Sequence, residues 1–376
     1  MADVAGRSRD ELAAYVALAQ VPGIGAGRLR TLIAAFESAG AVFHAPHGAI
    51  AALPGFSRAA ASAIRAGSMR AGHDILAGLE PHGAAVLLPD DPAFPPLLAE
   101  IPDPPALLYV RGDLRLLAGP AAGIVGSRDH SPYGADAARL LAAGVARAGV
   151  VVVSGMARGI DAVAHAAALD AGGGTVGILG NGFGVIYPVA NRALYERMAT
   201  AGCLVTELPP GERPHAGAFP RRNRLISGLA GVTVVVEAAP GSGALITADC
   251  ALDQGRAVLA VPGPITSPTS LGCNRLIQQG AKPALAAGDI LEELGLPGAA
   301  GSRDGGVSPP AAARGQPLDL SALQRTLWDS LRAEPKHVDA LVAAAGAETG
   351  AVLTALTELE LRGVVTQRPG MVFGLA

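Results

Sequence analysis

Along residues 120–262, short and nearly unbroken apolar runs alternate with longer stretches of helical periodicity. The runs fall at 121–125, 150–153, 175–179, 203–207, 232–236 and 257–261, and they are rich in valine and isoleucine. Between them lie helix-length segments such as 135–148, 160–171, 191–201 and 244–254. Strands that are apolar on both faces and separated by helices predict a parallel sheet covered on both sides. The fold class is α/β: an extended Rossmann-like, doubly wound parallel sheet. A different pattern precedes it. Residues 1–82 are helical and alanine-rich, with glycine turns at Val21-Pro22-Gly23-Ile24-Gly25-Ala26-Gly27-Arg28 and Leu53-Pro54-Gly55-Phe56-Ser57. Such turns suit helix-hairpin-helix units, whose backbone N–H groups can meet a phosphate, and equally suit plain helix packing with glycine caps.

The sheet domain is expected over 83–296. A linker over 297–318, rich in Gly, Pro, Ala and Ser, follows it and buries too little apolar surface to fold. Residues 319–376 read as three short helices and a hairpin turning at Arg368-Pro369-Gly370, the layout of a small winged helix.

Half of the 376 residues are apolar but only 3% are aromatic, and the net charge is −3. Nucleic-acid binding must therefore come from a local patch. Three scattered cysteines argue against a disulfide framework and against zinc. No signal-peptide core and no membrane-length apolar run is present, so a cytoplasmic protein is expected.

The chemistry gathers at strand ends. Gly126-Ser127-Arg128, Ser154–Asp161, Gly180-Asn181-Gly182 and Gly241-Ser242-Gly243 all follow predicted strands, where open α/β sheets bind ligands. Glycines admit an anion close to the backbone, and helix N-termini offer unpaired N–H donors. The run Phe219-Pro220-Arg221-Arg222-Asn223-Arg224 adds three guanidinium forks, which fit phosphate, and a ring that can stack on a base. Its alternative reading is the solvated first turn of a helix. No segment has the P-loop spacing G-x-x-x-x-G-K-[ST], and no G-x-G-x-x-G follows the first predicted strand, so neither ATP nor NAD is called for. No metal cluster, no nucleophile elbow and no catalytic set stands out. Asp161 and His165, four apart on one helix, read as a cap and a packing contact. No cofactor is expected.

These segments occur in one order with Ile186-Tyr187-Pro188, Phe219-Pro220-x-Arg222-Asn223-Arg224, Val236-Glu237-Ala238, Leu245-Ile246-Thr247-Ala248, Val261-Pro262-Gly263 and Gly272-x-Asn274-x-Leu276-Ile277-x-x-Gly280-Ala281. Together with Ser154-Gly155-x-Ala157-x-Gly159-Ile160-Asp161, the set resembles the DNA-processing protein A (DprA/Smf) family over roughly residues 87–290. The resemblance implies a non-enzymatic, dimeric protein that binds and protects incoming single-stranded DNA and helps load the RecA recombinase in natural transformation. It also implies a sterile-alpha-motif-like or helix-hairpin-helix first domain and a winged-helix last one. Carried over by position, Arg128 grips a phosphate, Phe219, Arg222 and Arg224 line the same groove, and the turn at Gly180–Gly182 touches the DNA backbone. Gly126, Ser127, Asn181, Arg221, Asn223, Ser242 and, more weakly, Lys282 complete the expected DNA contacts. The chain departs from the family at Gly241, where a lysine is frequent, at Ala244, where a serine is frequent, and at Gly184, where an aspartate is common. A rival reading is a lonely-guy-type phosphoribohydrolase of nucleoside monophosphates, but the segment from Pro240 to Thr247 lacks its glutamate. A transcription regulator is a poorer fit, because the presumed recognition helix carries Glu358 and Glu360.

Overall fold

The computed structural model describes residues 6–297, 320–332, 335–362, 364–368 and 370–375. The expected linker lies almost wholly outside the described residues. The chain divides into two compact units, residues 1–301 and 302–376.

The first unit opens with six helices: α1 (Arg9–Ala19), α2 (Ala26–Phe36), α3 (Ala39–His44), α4 (His47–Ala51), α5 (Arg58–Ala66) and α6 (Met69–Leu79). Serine side chains cap four of these starts; Ser8, for example, accepts from the Glu11 amide at 3.2 Å. Then come β1 (Ala85–Leu87), α7 (Pro96–Ala99), β2 (Leu108–Gly112), β3 (Ala121–Val125), α8 (Pro132–Arg147), β4 (Val151–Ser154), α9 (Ile160–Asp170) and β5 (Thr175–Ile178). They are followed by α10 (Arg192–Ala201), β6 (Cys203–Thr206), α11 (Ala218–Leu229), β7 (Val232–Val235), α12 (Gly243–Asp253), β8 (Ala257–Ala260), α13 (Leu271–Gln278), β9 (Lys282–Pro283) and α14 (Ala287–Glu293).

Nine strands make one sheet in the order β1-β2-β6-β5-β4-β3-β7-β8-β9. β3 to β9 run parallel, while β2 joins β6 antiparallel and β1 joins β2 antiparallel. All six predicted strands are present. The three additional ones have two to five residues: β1 and β9 are the edges of the sheet, and β2 lies between β1 and β6. Alternation along the strands sorts the core. Leu204 of β6 packs with the N-terminal helices and α10, whereas its neighbours Cys203 and Val205 pack with α11 and α12 on the opposite face. A third cluster joins α8, α9 and α14 to the sheet through residues such as Ile124, Val152 and Val234. Because Leu18, Leu29 and Leu79 share a core with Val86, Tyr109 and Leu204, the expected boundary near residue 82 separates sequence types within one packing unit.

The second unit has α15 (Ala322–Ser330), β10 (Lys336–His337), α16 (Val338–Ala345), α17 (Thr349–Leu361), β11 (Val365–Arg368) and β12 (Val372–Leu375). The strands form a sheet in the order β10-β12-β11, packed with the helices around Leu327, Trp328, Leu341, Leu356 and Phe373. This is a winged helix, with one short strand beyond the expected hairpin. Among the described residues, no single helix is long and apolar enough to cross a membrane.

Candidate nucleic-acid interface

The sheet order reverses between β3 and β7. Successive strands are added outward from β3 through β4, β5 and β6, and the chain then returns to the other side of β3. A crevice must open beyond the carboxyl ends of β3 and β7, because their connections leave in opposite directions. Gly126-Ser127-Arg128 leaves β3 there and Ala239–Gly243 leaves β7. The resulting cleft holds about 440 Å3, and α11 forms its wall with Phe219, Arg222 and Asn223.

Close backbone packing builds the rim. Gly159 has φ +78°, and a Cβ there would come within 2.2 Å of the Ser127 carbonyl, which accepts the Ile160 amide at 3.1 Å. Ser242 caps α12 by accepting from the Ala244 amide at 3.3 Å. Asn223 donates to the Gly243 carbonyl at 3.1 Å and ties α11 to that helix start. The amides of Ser127, Arg128, Gly241 and Gly243 donate to no acceptor among the described residues. They are therefore available to an anion in the cleft.

Arg222 decides the electrostatics. It is 7% exposed, its Nε is buried without a partner, and none of its nitrogens reaches an acceptor among the described residues. The guanidinium lies where a side chain on Gly155 would be: a Cβ there would overlap Nη1 at 1.5 Å. Burial lowers its pKa, Asp161 pulls it back up, and nearby Arg128 lowers it again. Asp161 is itself buried and accepts from the Gly155 amide at 3.1 Å; burial raises its pKa against the pull of Arg222. A guanidinium retains its charge under such perturbation, so the cleft contains a desolvated cation with unmet donors. A buried donor without an acceptor is costly, and a bound anion removes that cost.

Arg128 is exposed and lies over the Phe219 ring, 5.4 Å from its centre. Phe219 rests on Gly180, where a Cβ would stand 3.0 Å from the ring, and it meets Tyr187 at 5.8 Å between ring centres. This partition separates the main cleft from a smaller compartment of about 100 Å3.

The expected site residues are not all in one place. Gly126, Ser127, Arg128, Phe219, Arg222, Asn223 and Ser242 line the main cleft. Arg224 does not share that groove. It donates to both oxygens of Glu207 at 2.6 Å and to the Asp103 carbonyl at 2.6 Å, in a separate cavity that Arg221 also lines. Positions 222 and 224 lie about 200° apart around a helix, so one helix cannot turn both into the same groove. The Asn181 side chain is spent on the carbonyls of Gly182 and Val185. The Gly182 amide donates to the Glu212 carbonyl, and a Cβ on Gly182 would strike the Pro209 carbonyl, so Gly182 is a packed brace, while Gly180 and Asn181 line the smaller compartment beside the main cleft. Lys282 sits on the last edge strand, paired with Glu293. Sequence reasoning missed Tyr187, Tyr195 and Arg158 as lining residues. Tyr187 and Arg158 belonged to segments already singled out, but nothing local distinguished a lining side chain from a packed one.

With this geometry, comparison with known proteins is decisive. A family model described as DNA recombination-mediator protein A matches residues 85–295, and one described as DprA winged helix domain matches 309–371. Protein Smf of Synechocystis is 36% identical over 97% of this chain and 98% of its own length. The chain belongs to the DNA-processing protein A (DprA/Smf) family. DNA processing protein DprA of Bacillus subtilis is 44% identical over 58% of this chain and 74% of its own. The solved DprA of Streptococcus pneumoniae superposes with a TM-score of 0.66 at 33% identity, covering 76% of this chain and 98% of that one. DprA of Helicobacter pylori, described with a single-stranded DNA binding mode, gives 0.51 at 28% identity, covering 56% and 95%. Gly184 has φ +90° and Gly241 φ +79°, a region that glycine adopts without strain.

Proposed function

We propose that the cleft between β3 and β7 binds single-stranded DNA through its phosphates, and that the protein protects such strands and passes them to the RecA recombinase as a cytoplasmic homodimer. The observation that carries this is Arg222, a buried guanidinium without an acceptor in a cleft rimmed by unpaired amides. Its chemistry asks for a phosphate, and the neighbouring rings Phe219 and Tyr187 suit a strand whose bases are unpaired. The description of the Helicobacter pylori relative as a single-stranded DNA binder supports the same ligand. The phosphoribohydrolase reading finds less support. Among the described residues lining the cleft, the acidic side chain is Asp161, which faces inward to the loop amides. A binding protein is the better account.

Fluorescence anisotropy with labelled single-stranded and duplex oligonucleotides, titrated with salt, tests the reading. We expect preference for the single strand and a steep loss of affinity as salt rises. Absence of binding at low salt, or equal affinity for duplex, would overturn it. Free base released from a nucleoside monophosphate would favour the hydrolase instead. Recombinase transfer is then tested by RecA filament formation on strands precoated with a single-strand binding protein.

A further inference from the structure

We propose that the N-terminal helices carry a second nucleic-acid site, which holds the phosphates of duplex DNA at the paired turns 21–25 and 53–57 and sets a duplex beside the strand in the cleft. The site is separate from the cleft and goes beyond the single-strand reading. Charge is the first observation. Residues 20–70 contain five arginines and one carboxylate, so this segment is net +4 in a chain of net −3. Arg28, Arg30, Arg58, Arg65 and Arg70 are all exposed. A cationic surface on a chain that is acidic overall fits a polyanion. The carboxylate, Glu37, lies at the far end of α2, about 16 Å of helix from the first turn. Asp103 and Glu207, which border that turn, are already engaged by Arg224.

The second observation is a repeat. The turn around Gly23 recurs 32 positions later around Gly55. In each, a proline precedes a glycine at φ +80° or +79°, and the next amide closes the turn: Ile24 donates to the Val21 carbonyl at 3.0 Å, and Phe56 to the Leu53 carbonyl at 3.1 Å. Each turn leads directly into a helix, α2 or α5. Arg28 joins the two, donating to the Gly23 carbonyl at 2.7 Å and lying 5.8 Å from the centre of the Phe56 ring. Arg58 and Arg65 stand two turns apart on one face of α5, and the Arg58 guanidinium has no partner among the described residues. The amides of Gly23, Gly25 and Gly27 likewise donate to no acceptor among the described residues. The three rings of this segment, Phe36, Phe43 and Phe56, pack against the core. Unpaired bases would find little to stack on there, whereas a duplex turns its bases inward and presents about one charge per 1.7 Å of axis. The first turn also borders the cavity of about 450 Å3 that Arg221 lines, next in sequence to Arg222 of the cleft. One helix, about 10 Å across, separates the two sites, so a duplex with a single-stranded tail can fill both.

Fluorescence anisotropy on the full chain tests this with three DNAs: a blunt duplex, a single strand, and a duplex that carries the same strand as a tail. The variants are Arg28→Ala, Arg58→Ala and, as a control that removes one exposed arginine elsewhere, Arg115→Ala. We expect the labelled blunt duplex to bind protein already saturated with unlabelled single strand. The tailed duplex should bind about tenfold more tightly than the tail alone, as for a weak second site at millimolar effective concentration. Arg58→Ala should shrink that advantage, flatten the salt slope for duplex by about one unit and leave single-strand affinity unchanged. Arg115→Ala should change none of these. Since the Arg58 side chain supports no other group, its variant tests the site even where Arg28→Ala loosens the turn. Displacement of the duplex by single strand, or a tailed duplex no tighter than its tail, would overturn the second site. Duplex binding that survives both Arg28→Ala and Arg58→Ala, or that Arg115→Ala weakens equally, would also overturn it by assigning the duplex to another surface or to overall charge. A chain that binds duplex but not single strand would instead sink the cleft reading and leave this site standing.

Discussion

At the scale of single residues, Gly155 and Arg222 form one device. The guanidinium occupies the space a side chain on Gly155 would fill, with a Cβ there 1.5 Å from Nη1. Gly155→Ala should therefore displace Arg222 while leaving every charge in place. We expect it to weaken single-strand binding nearly as much as Arg222→Ala, by about 1.5–3 kcal/mol, the range for a hydrogen bond to a charged group. The two should differ in salt dependence: Arg222→Ala flattens the slope by about one unit, whereas Gly155→Ala, which keeps the cation, flattens it less. Anisotropy at several salt concentrations checks both, and unchanged affinity in Gly155→Ala would mean that the seated position of Arg222 does not matter. That the position is a glycine was plain from the sequence. That its missing side chain makes room for an arginine 67 positions later was not, because such complementarity exists only once β4 and α11 are side by side.

At the scale of elements, α11 shows what a sequence motif hides. Read as a string, Arg221, Arg222 and Arg224 are one basic cluster beside Phe219. Wound into a helix, Phe219 and Arg222 face the cleft while Arg224 faces Glu207 and Asp103. Arg224 is 13% exposed and Glu207 18%, so the pair is largely desolvated. Burial pushes the Glu207 carboxyl up, with Arg224 pulling it down. Arg224→Ala should then lower stability by about 2–3 kcal/mol, below the range for a fully buried partner, because Glu207 keeps some contact with water. Single-strand affinity should stay within a few tenths of a kcal/mol of wild type. Urea denaturation and anisotropy on one preparation separate these effects; lost affinity with intact stability would return Arg224 to the groove. The parallel strands were legible because they are buried on both faces and so read as unbroken apolar runs. The outer strands β1, β2 and β9 were not, being short and set by pairing rather than by pattern.

At the scale of the whole molecule, the cleft residues all belong to the first unit, which has its own three cores, while the winged helix has a fourth. A chain ending at residue 297 should keep single-strand affinity within about 0.5 kcal/mol of the full protein, since separated sites act additively. A larger loss would bring the winged helix into DNA contact. The first unit's acid tolerance is set deep in its core by His165, which is fully buried between α9 and the sheet. The Thr175 hydroxyl donates to the Val152 carbonyl at 2.8 Å, so it can only accept from His165 Nδ1, at 2.7 Å. Nε2 is left buried, unpartnered and unprotonated. Burial, reinforced by the charge of Arg222, lowers the His165 pKa from 6.5 to about 3. Between those values the unfolded chain carries a proton that the folded one refuses, so stability is complete above 6.5 and falls as the pH drops towards 3. Over the first 1.5 units the loss should reach about 2 kcal/mol. Asp161 and Glu207, whose pKa values burial raises, act with the opposite sign, so the wild-type curve alone is a sum. His165→Gln isolates the histidine: glutamine can still donate to Thr175 but does not titrate. Urea unfolding from pH 7.5 to 5 should show the wild type losing stability faster than the variant, the gap narrowing by about 2 kcal/mol. Parallel curves would mean that His165 is protonated in the folded core, and that the interior behind the cleft admits a charge that its geometry leaves without a partner.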